Sequence, residues 1–168
     1  MLIRREREAD VAAVRAVVVA AFGNDSGPEP IEAPLLDRLR ADTGWLPALS
    51  LVAVEADGSV VGHVVCTRGA VAGTPALGLG PLAVRPDHQR QGVGSALVHA
   101  VLGAAEALEE SVVCLLGDPA YYERFGFRPA SELGIGAPEE AWGRYFQARA
   151  LGTAPRGRFS YARPFDDI

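Results

Sequence analysis

Apolar and polar positions alternate along the chain in blocks, and each block predicts an element. Leu2 to Arg5 reads as a short strand, and Asp10 opens an Ala- and Val-rich amphipathic helix that runs to Phe22 and stops at Gly23-Asn24. NDSGPEP is a loop, and the helix expected over Glu32 to Asp42 sets Leu35, Leu36 and Leu39 on one face. Ser50 to Ala56 and Val60 to Thr67 are apolar runs joined by Asp57-Gly58, the strongest hairpin signal in the chain; a third strand, Ala76 to Val84, should pair with them. A helix over Gly92 to Leu108 leads to a buried strand at Val112 to Leu116. Strand, helix, strand at this spacing makes a crossover, and so a parallel pair within an otherwise antiparallel sheet. Farther on, Phe127-Arg128-Pro129 starts a strand, residues 129–143 form a loop, and Tyr145 to Leu151 with Arg158 to Pro164 reads as a final hairpin-like pair. The expectation is an α/β fold with a mixed central sheet of about seven strands flanked by helices.

Composition narrows the class. The 168 residues fit one domain spanning 1–168. Nearly half are apolar, yet no run reaches the ~18 needed to span a bilayer, and MLIRREREAD lacks an apolar signal core, so a cytoplasmic location and no membrane partner are expected. Cys66 and Cys114 fall inside apolar strand-like runs, which favours buried reduced thiols over a disulfide. Three scattered histidines give metal catalysis little support. The formal charge of −5 argues against nonspecific nucleic-acid binding. Locally, Arg85, His88 and Arg90 supply positive potential for an anionic cofactor.

Those three residues flank the densest signal in the chain, LGPLAVRPDHQRQGVGSAL, from Leu79 to Leu97. An apolar strand breaks into a polar loop, two close glycines and a helix start. Gly92 and Gly94 have no β-carbon, so the N–H groups from Arg90 to Ser95 can turn toward one point. That point is also a helix N-terminus, which favours a phosphate. The loop lacks the Gly-Lys-Ser/Thr ending of a nucleotide triphosphate loop. It also lacks the third glycine and the acidic residue about 20 positions on of a dinucleotide fingerprint, because Glu109 and Glu110 sit too near. What remains, Gln89-x-x-Gly92-x-Gly94 after the strand LAV and the turn RPDH, resembles the pyrophosphate loop of the GNAT superfamily of N-acetyltransferases. The bland alternative is a helix start with flexible glycines.

The resemblance implies acetyl-CoA as co-substrate and assigns residues to it. Gln89, Arg90, Gln91, Gly92, Val93, Gly94 and Ser95 would cradle the pyrophosphate, and Leu82, Ala83 and Val84 would follow the pantetheine arm, with main-chain contacts from Leu82 and Val84. Gly78, Gly80 and Pro81 interrupt this strand, where family members have diverging strands and a V-shaped gap; the sheet is therefore expected to split there. A second motif runs from Gly117 to Phe127. Asp118 is a natural N-cap, Pro119 fits the first helical position and Gly126 ends the short helix. Tyr-x-x-x-Gly-Phe here resembles the family segment whose tyrosine points at the cofactor sulfur, which makes Tyr122 the general acid for a departing thiolate of ordinary pKa ~8.5 from a phenol of ~10. A backbone N–H of Val84 or a neighbour would stabilise the oxyanion. The plainer reading has Tyr121 and Tyr122 as packing residues only.

The chain departs from the family in running LLGDPAYY, without the asparagine and alanine that many members carry one turn before the tyrosine. No base declares itself. Glu29, Glu32 and His63 are candidates, each with an ordinary alternative as a solvated glutamate or a satisfied strand histidine. Trp142, Tyr145 and Phe146 are candidates for the acceptor pocket, or simply core. The expected activity is transfer of an acetyl group to an amine, on a small molecule or a peptide. The alternative from another class is a noncatalytic acyl-CoA sensor, against which Tyr122 argues. An exposed C-terminal edge strand would allow a homodimer.

Overall fold

One long hairpin, buried on both faces along much of its length, organises the molecule, described in a computed structural model at residues 1–24 and 26–168. Asp25, within the loop expected over 24–30, lies outside the described residues. The element order is β1 (Leu2–Arg5), α1 (Val11–Phe22), α2 (Glu32–Ala41), β2 (Ser50–Val54), β3 (Val60–Val71), β4 (Thr74–Val84), α3 (Val93–Ala107), β5 (Val112–Leu116), α4 (Pro119–Tyr122), β6 (Arg128–Pro129), β7 (Ile135–Gly136), β8 (Phe146–Ala150) and β9 (Gly157–Ser160). The sheet runs β1-β2-β3-β4-β5-β8-β6, with β9 joined to β3 and β7 off this path. Every pair along the path is antiparallel except β4 with β5, the parallel pair expected from the crossover through α3. The sheet is open and mixed, with helices on both faces.

Period two sorts the strands between two apolar layers. Leu77, Leu79, Val113 and Leu115 pack with Leu97, Val98 and Val101 of α3. Ala76, Val112 and Cys114, one position off in each strand, pack on the opposite face with Phe146 and Phe159. Val14, Val17 and Val18 of α1 and Leu36 of α2 cover Val52, Val65 and Ala83. Burial of such a side chain stabilises by roughly 1.5–3 kcal/mol, so α3 alone anchors the crossover firmly.

Two expectations need correction, the final hairpin and the end of β3 at Thr67. The final hairpin does not form: β8 lies between β5 and β6, whereas β9 pairs with β3 through Ala70–Ser160 and Val71–Phe159. The reason is edge availability. Both edges of β8 are occupied, while β2 covers β3 only as far as Val65 and leaves the upper part of that edge open. That upper part exists because β3 runs past Thr67 to Val71 and turns at Ala72 (φ +47°) and Gly73 (φ +82°), the paired positive angles of a tight hairpin. Both cysteines are free and buried, as expected. Among the described residues no helix is long and apolar enough to cross a membrane.

Candidate active site

The split expected beside β4 is present. β4 and β5 share register only at Leu77–Val113 and Gly78–Cys114, and beyond Gly78 the two strands part. Gly80 there has φ +139°, a conformation that suits a residue without a β-carbon. Past the bend, β4 remains laddered to β3 on its other side, with Val64 opposite Leu82, His63 opposite Ala83 and Gly62 opposite Val84. The Arg85 N–H donates to Val61 O at 2.8 Å, so by alternation Ala83 also turns its main chain to β3, while Leu82 and Val84 turn theirs into the split. The Gln89 side-chain amide donates to Val84 O at 3.0 Å, which confirms that orientation and ties the glycine loop to the strand end. The main-chain contacts expected of Leu82 and Val84 are thus geometrically available, with the Val84 carbonyl already taken. Ala83 offers no main-chain group to the gap; its side chain is buried toward α1.

The loop after β4 arrives at α3 in the expected way. Gly92 is the N-cap residue, left-handed at φ +86°, and a β-carbon built on it would meet nothing within 4 Å. Arg90 is left-handed too, at φ +61°. The first intrahelical bond runs from Ala96 N–H to Gly92 O, so the N–H groups of Val93, Gly94 and Ser95 have no acceptor within the helix. Gln91 donates from its side chain to Asp87 O at 3.3 Å and stiffens the turn. The positive potential expected from three residues is concentrated in one. Arg85 pairs with Asp87 at 2.7 Å and His88 contacts the same carboxylate at 3.0 Å, while Arg90 is exposed and forms no ion pair among the described residues. Those two partners hold the Asp87 carboxyl well below the usual carboxylate range, the Arg85 hydrogen bond first.

Past β5, Asp118 caps α4 by accepting from Ala120 N–H at 3.0 Å, and Pro119 takes the first helical position. The two tyrosines of this short helix point to different places. Tyr121 brings its hydroxyl to the α3 start, where a β-carbon on Gly94 would stand 2.9 Å from it. Tyr122 lies over Gly117 and lines a cavity of about 530 Å³ that also takes in Leu79, Gly80, Pro81 and Leu82 of the split. Burial, with Tyr121 adding to it, pushes the Tyr122 phenol up to about 12.

The opposite wall of this cavity carries a residue that sequence reasoning missed. Tyr161, just past β9, lies over Gly78, where a β-carbon would stand 2.6 Å from its ring, and so covers the vertex of the split from the face opposite α3. It stacks edge-on against Phe159 at 4.8 Å and lies 4.5 Å from Phe165. Burial, reinforced by the nearby Cys114 thiol, raises its phenol well above the ordinary range. Nothing local in the sequence marks Tyr161; its role follows from the docking of β9 on β3. Of the three aromatic candidates Trp142 lines the cavity, whereas Tyr145 is exposed away from it and Phe146 is core.

Of the expected bases only Glu32 reaches the cavity. Glu29 lies elsewhere and pairs with Arg15 at 2.6 Å. His63 is fully buried in a structural relay: its Nε2 lies 2.9 Å from Ser50 Oγ, Ser50 donates to Glu6 Oε1 at 3.1 Å, and Arg40 donates to both Glu6 oxygens. Since Ser50 spends its proton on Glu6, His63 donates through Nε2 and is neutral, with Nδ1 lacking a protein partner. Burial pulls its pKa down to about 4, despite the opposing pull of Glu6. Among the described residues no cluster of metal-ligating side chains forms.

With this geometry established, comparison with known proteins is specific. A family model described as an acetyltransferase (GNAT) domain matches residues 47–129. The chain is 37% identical over 133 residues to YhbS of Escherichia coli K12, an uncharacterised N-acetyltransferase, covering 78% of this chain and 75% of YhbS. The crystal structure of Escherichia coli YhbS in complex with CoA matches with a TM-score of 0.88 at 30% identity, over 98% of this chain and 91% of that one. A GNAT acetyltransferase from Brucella melitensis in complex with acetyl-CoA matches with a TM-score of 0.80 at 35% identity, over 98% and 97%.

Proposed function

The chain belongs to the GNAT family of acetyltransferases, and on that premise we propose that residues 1–168 form one N-acetyltransferase domain that moves an acetyl group from acetyl-CoA to an amine held in the 530 Å³ cavity. One observation carries the reading: the edge of β4 that β5 leaves uncovered beyond Gly78 leads from the open α3 N-terminus directly into the cavity that holds Tyr122.

The residues fit the donor. Gly92 leaves open space in front of the free Val93, Gly94 and Ser95 N–H groups, as a diphosphate requires, and Arg90 adds a cation. Leu82 and Val84 offer strand-like bonds to an amide-bearing arm laid in the split. Bound there, acetyl-CoA supplies an activated acyl carbon and a thiolate leaving group. Pro81 has no N–H, so Leu82 presents the first donor beyond the bend, and it lines the cavity where Val84 does not. Leu82 N–H is therefore assigned to the charge that develops on the acyl oxygen.

Tyr122 stays protonated at neutral pH and gives its proton to the departing sulfur. At ordinary pKa values this transfer runs uphill, from a phenol of ~10 to a thiolate of ~8.5. Burial disfavours a thiolate as it does a phenolate, so a sulfur released in the cavity is shifted in the same direction as the Tyr122 phenol. Glu32, in the cavity, is assigned to take the proton of the incoming ammonium. The two free buried thiols fit a reducing compartment, which supports a cytoplasmic location.

Calorimetric titration with acetyl-CoA, CoA and ATP in parallel, followed by thiol release from the Tyr122→Phe variant, tests the reading. The expectation is binding of both CoA species and not ATP, and a variant that binds acetyl-CoA normally but turns over slowly. Absence of CoA binding overturns the donor; an undiminished rate overturns the role of Tyr122.

A further inference from the structure

The cavity beside Tyr122 has walls of one electrostatic character. Glu32, Glu139 and Asp166 line it, the last two solvent-exposed, and among the described residues no arginine or histidine does. Elsewhere Glu6, Asp10, Glu29, Asp37, Asp87, Glu110 and Glu132 each lie within ion-pair distance of an arginine, while carboxylates such as Glu8, Glu55 and Glu123 form no ion pair among the described residues. The three in the cavity wall form no ion pair among the described residues, although the chain carries sixteen basic side chains. The same cavity is lined by aromatic rings, Trp142, Tyr161 and Phe165, whose faces attract cations. A volume of about 530 Å³ suits a small molecule.

We propose, building on the acetyltransferase reading, that the acceptor is a small aliphatic diamine, a dication with an apolar spacer between its two nitrogens. The chemistry requires the second charge. The attacking nitrogen first gives one proton to Glu32; as it forms the N–C bond and the C–S bond breaks, the sulfur takes the Tyr122 proton and the nitrogen sheds its second proton, which returns through water to the Tyr122 phenolate, so the product is a neutral amide. The reacting nitrogen is uncharged before attack and in the product, so beyond the proton that Glu32 takes the cavity carboxylates gain no lasting ion pair from it. Only a second ammonium, which keeps its charge from binding to product, can be held by them in the transition state and so raise kcat/KM. The apolar spacer lies against the aromatic walls. An acceptor bearing its own carboxylate would meet like charge there.

Butylamine, diaminobutane and aminobutyrate share a carbon chain and differ in charge, which makes them the probes. Two readouts are taken on the full chain: equilibrium binding by calorimetry without acetyl-CoA, and thiol release with acetyl-CoA saturating. Diaminobutane should bind best and react best, with kcat/KM at least about tenfold above butylamine and aminobutyrate lower still, as one extra charge contact implies. Glu139→Gln and Asp166→Asn should each narrow the diaminobutane-to-butylamine ratio, chiefly through KM, and leave acetyl-CoA affinity unchanged. Equal binding and rates for the monoamine and the diamine, or a preference for aminobutyrate, overturns the proposal. Selective diaminobutane binding without thiol release upholds the acceptor class and refutes acetyl transfer instead.

Discussion

The ring of Tyr122 leaves no room for a side chain on Gly117: a β-carbon there would stand 2.5 Å from Cε2 and 3.0 Å from Cδ2. The glycine that ends β5 therefore sets the position of the phenol in the cavity. Gly117→Ala should displace the ring and lower kcat by roughly the 10²-fold at which positioned proton donors begin to matter, with acetyl-CoA affinity retained. Combined with Tyr122→Phe it should cost little more, since both changes remove the same group. Steady-state thiol release for the two single variants and the double variant checks this.

Gly92 separates backbone strain from a blocked cradle. At φ +86°, alanine has open space but an unfavourable backbone, which should cost about 1 kcal/mol of stability and little affinity. Gly92→Trp should fill the space before the α3 donors and abolish acetyl-CoA binding. Thermal melts and calorimetry on both variants distinguish the two effects.

His63 makes a pH prediction with a definite sign. Its pKa is near 6.5 in the unfolded chain and about 4 in the folded one, because burial disfavours the imidazolium. Between those values the unfolded state takes up a proton that the folded state refuses. Stability is then unaffected above pH 6.5, falls by up to about 1.4 kcal/mol per unit as pH drops toward 4, and levels off below that. His63→Gln, which can still donate to Ser50, should flatten this window specifically. Urea midpoints for the two proteins across it provide the check, because carboxylates such as Asp10, held low by Arg4, titrate in both alike.

Tyr161 divides into a ring and a hydroxyl. Tyr161→Phe keeps the ring over Gly78 and should leave stability within about 1 kcal/mol. Tyr161→Ala opens a void under the vertex of the split and should cost about 3–5 kcal/mol, as loss of a buried aromatic ring does. Denaturant midpoints measure both. A large loss from the phenylalanine variant would mean that the hydroxyl, near the Leu116 backbone, matters more than the packing.

What the sequence made legible was local. The α2 leucines, the Asp118 cap and the Gly92 start of α3 each follow from spacing or backbone freedom within a few residues, and each is found in place. The split was legible for a similar reason, since Gly78, Gly80 and Pro81 sit together in one strand. The pairing of β9 was not, because the edge it fills depends on how far β2 reaches along β3, a relation across the whole chain. Tyr161 went unseen with it. The steric demand at Gly78 is a sequence trace of that residue, but it can be interpreted only once Tyr161 is known to lie above it. The charge of the loop was half legible: Arg85 and His88 were visible as cations, and their shared neutralisation by Asp87 is a matter of side-chain geometry.

Because β2 and β9 occupy different lengths of one edge of β3, the two ends of the molecule need not open together. The wall that carries Tyr161, Phe165 and Asp166 follows β9, whereas the glycine loop is anchored through β4, the lower part of β3 and α3. Local fraying of β9 would open the Tyr161 wall while the glycine loop keeps its anchor, and amide protons of β9 should then exchange faster than those of β3 and β4.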